Sequence, residues 1–331
     1  MLTADSLDHT HKILSIYLWR VSFFDMANLF AKLQSSKQSQ TGRTWANRLT
    51  AFGFLLPALT IFIFFELFSL LYNVYIGFHS WKGFGQPTFV GLANYVDIFT
   101  DKLFRGALAH NLIFMVIALV FMTVFGLFLA LVLDSGMPGA GIFRGLIFLP
   151  VIIPTVVVGL VWTRIFSSQG GLLNQFLELF NLVNLQQDWL GNPRTALSAV
   201  LVVWVWRHLG YSVIMFGAGL LGIPDDLKDA AALDGASPSQ TVSKIIIPLL
   251  RSVIMIVAIL YAIFAFKVFT LVFIMTGGGP YNATEVMNTY MYDRVFRFFE
   301  MGIGSSITNL IILILLSFAA IRGRLKADVE Y

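Results

Sequence analysis

Six long apolar runs dominate this chain and leave few folds open to it. The first, Phe52 to Phe78, reads "FGFLLPALTIFIFFELFSLLYNVYIGF". A hydrocarbon layer about 30 Å thick takes about 20 apolar residues per helix, and five further runs meet that length. They cover 108–133, 142–166, 195–221, 252–276 and 302–321. The third carries Pro150 and Pro154 and is expected to kink. Only 12% of the 331 residues are charged, and Phe alone contributes 32. A soluble fold could not bury that much apolar surface, whereas a bilayer takes the part of solvent. The sequence therefore predicts an all-α integral membrane protein with six transmembrane helices spread over residues 51–325.

Lys and Arg set the orientation. Six spans put both termini on one side. That side carries thirteen basic residues, against seven on the other. The positive-inside rule then places both termini in the cytoplasm. Residues 1–50 lack the pattern of a signal peptide, because Asp5 and Asp8 precede the first Lys. Within them, residues 11–33 are apolar but interrupted by Arg20 and Asp25, which predicts an interfacial helix rather than another span. A polar linker, "QSSKQSQTGRT", follows, and residues 326–331 form a short cytoplasmic tail. On the opposite side, Leu172, Leu173, Phe176, Leu177 and Phe180 have the spacing of a short amphipathic helix lying on the outer surface.

Several chemistries are excluded. The chain has no cysteine, so disulfides and thiolate sites are impossible. Gly277-Gly278-Gly279 lacks the Gly-Lys-Ser/Thr that completes a phosphate loop, and neither a His-Glu-x-x-His nor a Gly-x-Ser-x-Gly motif occurs. No catalytic residue, metal site or bound cofactor is expected in this chain. The net charge of +4 is loop charge that sets topology, and no nucleic-acid partner is expected.

The polar stretch between the fourth and fifth runs, "IPDDLKDAAALDGASPSQTVSKIIIPLL" (223–250), asks for its own explanation. Pro224 with Asp225 and Asp226 starts a helix with acids at its positive end. "LKDAAAL" continues it, and Gly235 stops it. Ser237, Pro238 and Gln240 then open a second helix with a capping box. The segment reads as a helix–turn–helix with few bulky side chains, suited to docking into a groove on a partner.

That segment resembles the EAA loop of permease subunits in bacterial ATP-binding-cassette importers. The matching residues are Asp229-Ala230-Ala231, Asp234-Gly235-Ala236, Val242, Ile245 and Pro248. Asp229 replaces the usual Glu, Val242 stands where Phe is common, and Ser252 sits where a final Pro is often found. "WVWRHLGYSVIMFGAGLLGIP", "TGGGPYNAT" and "YMYDRVF" are similar to the carbohydrate-uptake branch, near the maltose and glycerol-3-phosphate permeases. The resemblance implies the type I importer permease fold, in a chain of the bacterial inner membrane. It implies a cytoplasmic coupling helix gripped by an ATPase subunit, with Asp229 as a charge contact, Gly235 as the turn, and Ala230, Ala231 and Ala236 permitting close approach. Two ATPase subunits would bind ATP and magnesium. A second homologous permease and a periplasmic solute-binding protein would complete the assembly. The rival reading is a secondary transporter or channel subunit.

Polar residues inside spans are costly and mark functional candidates. Arg207 and Tyr211 in the fourth run, Lys267 in the fifth and Asn309 in the sixth are the candidates for a carbohydrate path. His208 is read as an interhelical hydrogen-bonding residue. Arg207 and Lys267 face only Glu66 as an evident counter-charge, an imbalance that would attract an acidic saccharide or a phosphorylated sugar.

Overall fold

The computed structural model describes residues 44–327, with side chains from 50 to 320. The expected interfacial helix at 11–33 and most of the tail lie outside the described residues. The chain divides into two units, one ending at Leu70 and the other beginning at Leu71.

Helix α1 runs through Thr44–Ile61, a π turn at Phe62–Leu67, and Phe68–Gly77. Its large side chains from Phe52 to Leu70 are exposed, as suits a helix whose surroundings are hydrocarbon. Glu66 stands exposed on the π turn.

After the last turns of α1 the second unit forms a two-stranded hairpin, β1 (His79–Ser80) against β2 (Thr88–Phe89), antiparallel with His79 opposite Phe89. This pair is an exception to the all-α expectation. Buried Asn94, on α2 (Ala93–Thr100), holds it by donating to the carbonyls of Gly77 (3.0 Å) and His79 (2.9 Å).

Helix α3 spans Lys102–Asp134 and starts six residues before the predicted run. It shows how an all-apolar helix sorts its faces. Phe114, Ala118, Met122, Gly126 and Ala130 form a buried stripe at four-residue spacing. Val116, Val120, Val124 and Phe128 form an exposed stripe on another face. Both stripes are apolar, and only a lipid solvent makes that arrangement stable.

The third run is not one kinked helix. It forms α4 (Ala140–Ile152) and α5 (Thr155–Ile165), bent by 97°. The helix tolerates Pro150 and breaks at Pro154, because a residue before proline is driven to extended backbone and Ile153 has ψ 131. Then come α6 (Leu172–Leu179) and α7 (Ala196–Leu221). In α6 Leu172, Phe176 and Leu179 are exposed while Asn174 is buried, matching the expected amphipathic helix.

The stretch 223–250 forms α8 (Asp225–Leu233) and α9 (Pro238–Leu249), and α9 joins α10 (Arg251–Phe266) through a 70° bend at Leu250. The fifth run also breaks. Helix α10 ends at Phe266, and a separate α11 (Thr270–Met275) completes the run. Helix α12 (Met287–Tyr292) and α13 (Met301–Ala327) close the chain. Among the described residues four helices are long and apolar enough to cross a membrane, and up to six crossings result when each bent pair counts as one.

Two apolar cores hold the second unit. One joins α3, α7 and α10 through Phe114, Trp204, Phe216, Val257 and Tyr261. The other joins α2, the start of α3, the end of α10, α12 and α13 through Ile98, Phe104, Phe266, Met287 and Ile307.

Candidate functional site

The polar hairpin is built locally. Helix α8 ends in a Schellman motif: the Ala236 N–H donates to the Ala231 carbonyl (2.9 Å), and the Gly235 N–H to the Ala232 carbonyl (3.1 Å). Gly235 takes φ +76, where a glycine avoids the penalty of a Cβ. Ser237 then caps α9, its backbone N–H donating to Gln240 Oε1 (2.8 Å) and its Oγ accepting from the Gln240 N–H (3.4 Å). The exposed face presents Asp229, Ala230, Asp234 and Gly235. Ala231 is buried within the chain, which removes it from that face, and Ala236 is half-buried. Leu233 is 90% exposed, although the sequence reading passed over it. Ile245 is half-buried and Pro248 exposed on α9.

Two ties anchor the hairpin to the rest of the unit. Lys228 bridges Asp134 at the end of α3 (3.4 Å) and Asp225 (3.1 Å). The hydrogen bond to Asp225, with the charge of Asp134, outweighs partial burial and raises the Lys228 pKa above the ordinary lysine value. The second tie is Leu250, almost fully buried at the elbow between α9 and α10. The hairpin is thus joined to α10 through a buried elbow.

The far end of α10 opens on a cavity of about 260 Å³ lined by Thr155, Trp204, Arg207, His208, Phe264, Lys267, Phe269 and Thr270, among others. It lies where the two broken runs meet. Irregular backbone at membrane depth persists only where other groups satisfy it, and here amide side chains do so. Asn111 donates to the Ala265 carbonyl (2.7 Å) and accepts from the Met287 N–H (2.8 Å). Asn288 donates to the carbonyls of Phe266 (2.8 Å) and Val268 (3.1 Å). At the other break Arg207 Nη2 donates to the Ile153 carbonyl (3.3 Å).

Arg207 is the twelfth residue of the 26-residue α7, near mid-depth. A cation there is disfavoured by about 3 kcal/mol unless it lines a polar space. Its neighbour His208 donates through Nδ1 to the Trp204 carbonyl (2.8 Å), which leaves Nε2 to accept from Arg207 Nη1 (3.4 Å). The Arg207 Nε is buried with no partner. Tyr261 adds a local loosening of α7: Ser212 N–H donates to its hydroxyl (3.1 Å), which donates to the His208 carbonyl (2.7 Å). The hydroxyl thus stands between two groups that a regular helix pairs directly. Close packing surrounds the site, since a Cβ on Gly210 would lie 2.7 Å from the Ile147 carbonyl oxygen of α4.

Of the four path candidates, the structure brings Arg207 and Lys267 together in this cavity. Tyr211 packs one layer away, tilted against Phe264 (5.7 Å) and edge-on to Phe148 (6.0 Å). Asn309 belongs elsewhere. It is buried, accepts from Asn73 Nδ2 (2.8 Å) and donates to Tyr95 Oη (3.0 Å), so its amide ties three helices together and faces no open space.

Residues 122–325 match the family described as binding-protein-dependent transport system inner membrane component. The chain is 35% identical over 276 residues to the probable ABC transporter permease protein YurN of Bacillus subtilis, covering 82% of this chain and 94% of that relative. It is 30% identical over 278 residues to the trehalose/maltose transport system permease protein MalF of Thermococcus litoralis, covering 83% and 93%. It is 34% identical over 250 residues to the xylose/arabinose import permease protein XacH of Haloferax volcanii, covering 74% and 78%. In fold it is similar to a bacterial ABC transporter involved in the import of the acidic polysaccharide alginate, with a TM-score of 0.75 over 87% of this chain and 100% of that chain at 19% identity. With its EAA-like hairpin, its broken spans and this match over most of its length, the chain belongs to the family of binding-protein-dependent transport system inner membrane components.

Proposed function

We propose that this chain is the membrane-spanning permease subunit of an ATP-driven importer of a sugar or oligosaccharide, working in a bacterial inner membrane with both termini in the cytoplasm. Sugar permeases among its relatives support the solute class. A second, homologous permease provides the other half of the path. Two ATPase subunits, which bind ATP and magnesium, grip the α8–α9 hairpin of each permease. A periplasmic solute-binding protein delivers the sugar.

One observation carries the mechanism: the exposed hairpin and the cavity are the two ends of one connected element. Closure of the ATPases moves the hairpin, with Asp229 and Asp234 as charge contacts and Leu233 as an apolar knob in the ATPase groove. The buried elbow at Leu250 passes that motion to α10, whose other end forms the cavity wall at Lys267. The cavity thus opens to one side of the membrane or the other according to the state of the ATPases.

The test is uptake into proteoliposomes holding the full complex and the binding protein. The expected outcome is uptake that requires ATP on the hairpin side and is indifferent to protonophores and sodium ionophores. Uptake without ATP that collapses when the ion gradient is removed would instead establish a secondary transporter.

A further inference from the structure

The cavity at the two breaks has a charge balance that a neutral sugar leaves unanswered. Arg207 and Lys267 both line it, and no Asp or Glu does. Among the described residues every salt bridge lies elsewhere, on Lys228, Arg294 or Arg297. His208 offers Arg207 only the lone pair of a ring nitrogen, at 3.4 Å. Arg207 also gives one N–H to the Ile153 carbonyl, yet its buried Nε has no acceptor. Among the described residues the guanidinium therefore has no anionic partner. Snorkelling does not relieve Arg207, because it lies at the middle of α7 rather than at an end.

The remaining lining fits a saccharide ring. Trp204, Phe264 and Phe269 supply apolar faces, and Thr155 and Thr270 supply hydroxyls. We propose that this cavity is a carboxylate-binding subsite, in which the acid group of a uronic-acid residue in the transported saccharide pairs with Arg207 and Lys267. Arg207 supplies directed N–H donors and Lys267 a mobile point charge. Charge-assisted pairs of this kind are short and directed, and on the exposed Lys267 side they are open to screening by salt.

The inference rests on the carbohydrate-permease reading, and the experiment separates the two. The complete transporter, in lipid nanodiscs without its binding protein, is titrated with galacturonic acid di- and trisaccharides and with the same saccharides as methyl esters. The ester keeps the ring and hydroxyls and removes the charge. The expected result is acid binding at least about tenfold tighter than ester binding, with the ratio falling as salt rises. In Lys267→Gln, and in Arg207→Gln, that ratio falls towards one, while Lys267→Arg restores it. Lys267 is exposed and holds no backbone group, so its variant tests the charge even if Arg207→Gln fails to fold. Equal or better binding of the ester by the wild-type complex overturns the carboxylate subsite and leaves the sugar permease standing. An acid preference that survives in Lys267→Gln and Arg207→Gln also overturns the subsite. Binding of neither form overturns the subsite, while the sugar-permease reading is decided by the uptake experiment above.

Discussion

Lys228 Nζ stands 3.4 Å from Asp134 Oδ2, so the first helix of the exposed hairpin is ion-paired to the last residue of a long membrane helix. Both side chains are about a quarter exposed, and such a pair contributes about 0.5–1 kcal/mol. Its importance is positional. Asp134→Asn is expected to leave the unfolding temperature within about 2 °C of wild type but to raise the ATP hydrolysed per sugar imported. Lys228→Met in the same background should add little to the uncoupling, because the contact to α3 is already gone and only the local pair with Asp225 remains to lose. An unchanged ATP-to-sugar ratio would remove the pair from the coupling path.

Leu233 and Gly235 separate docking from folding. A Cβ on Gly235 would touch nothing within 4 Å, so Gly235→Ala adds only the strain of a left-handed alanine, about 1 kcal/mol. It should reduce transport mildly. Leu233→Asp disturbs no internal contact of note but puts a charge on the exposed knob. We expect co-purifying ATPase to fall about tenfold or more, with the thermal midpoint of the permease unchanged. Full ATPase recovery with Leu233→Asp would show that the groove does not receive this residue.

Asp101 gives a pH prediction. Burial opposes its charged form, but hydrogen bonds from the Tyr290 hydroxyl and the Leu103 N–H, with the Arg294 guanidinium alongside, outweigh that and hold its pKa below the usual aspartate value. A depressed carboxylate stabilises above its unfolded pKa, and that stability is lost as pH falls through the folded value. The solubilised protein should keep its midpoint from pH 7 down to about 4 and lose stability below. Asp101→Asn should start about 1–2 kcal/mol lower and show a shallower acid limb. An identical acid limb in that variant would clear Asp101 of the role.

Asn288 is expected to matter for the cavity more than its place in the short helix α12 suggests. Asn288→Ala strips the partners from the carbonyls of Phe266 and Val268, a loss of about 1–3 kcal/mol if water does not replace them. Solute-stimulated ATPase should drop while the basal rate persists, as the Lys267 wall loses its fixed position. Stimulation equal to wild type would mean that the break holds itself.

The hairpin was legible in the sequence because its determinants are local. Ser237, Gln240 and Gly235 act on backbone groups within five residues, and they form the cap and turn that their identities predict. The breaks were only half legible. Pro154 marked the first, though not its 97° angle. The second, at Lys267, has no proline or glycine beside it. Its partners are Asn111 and Asn288, and Asn111 lies 154 residues from the carbonyl it receives. Asn309 misled for the same reason: a polar residue in an apolar run reads as a solute contact until Asn73, 236 residues away, is found against it.

The stop in α10 at Phe266 has a mechanical consequence. A continuous transmembrane helix tilts as a rod, and any sharper change in its shape strips backbone hydrogen bonds in a medium that cannot replace them. Here the stripping is already complete, and two amides hold the loose ends. The break leaves the Arg251 half and the Thr270–Met275 stub as separate pieces, the first ending at Asn111 and Asn288 and the second packed on α5, where Ile274 lies against Gly159. In the proposed mechanism the span would serve as a ball joint, in which a push at one face of the bilayer becomes a rotation at the cavity wall without tearing the backbone ladder.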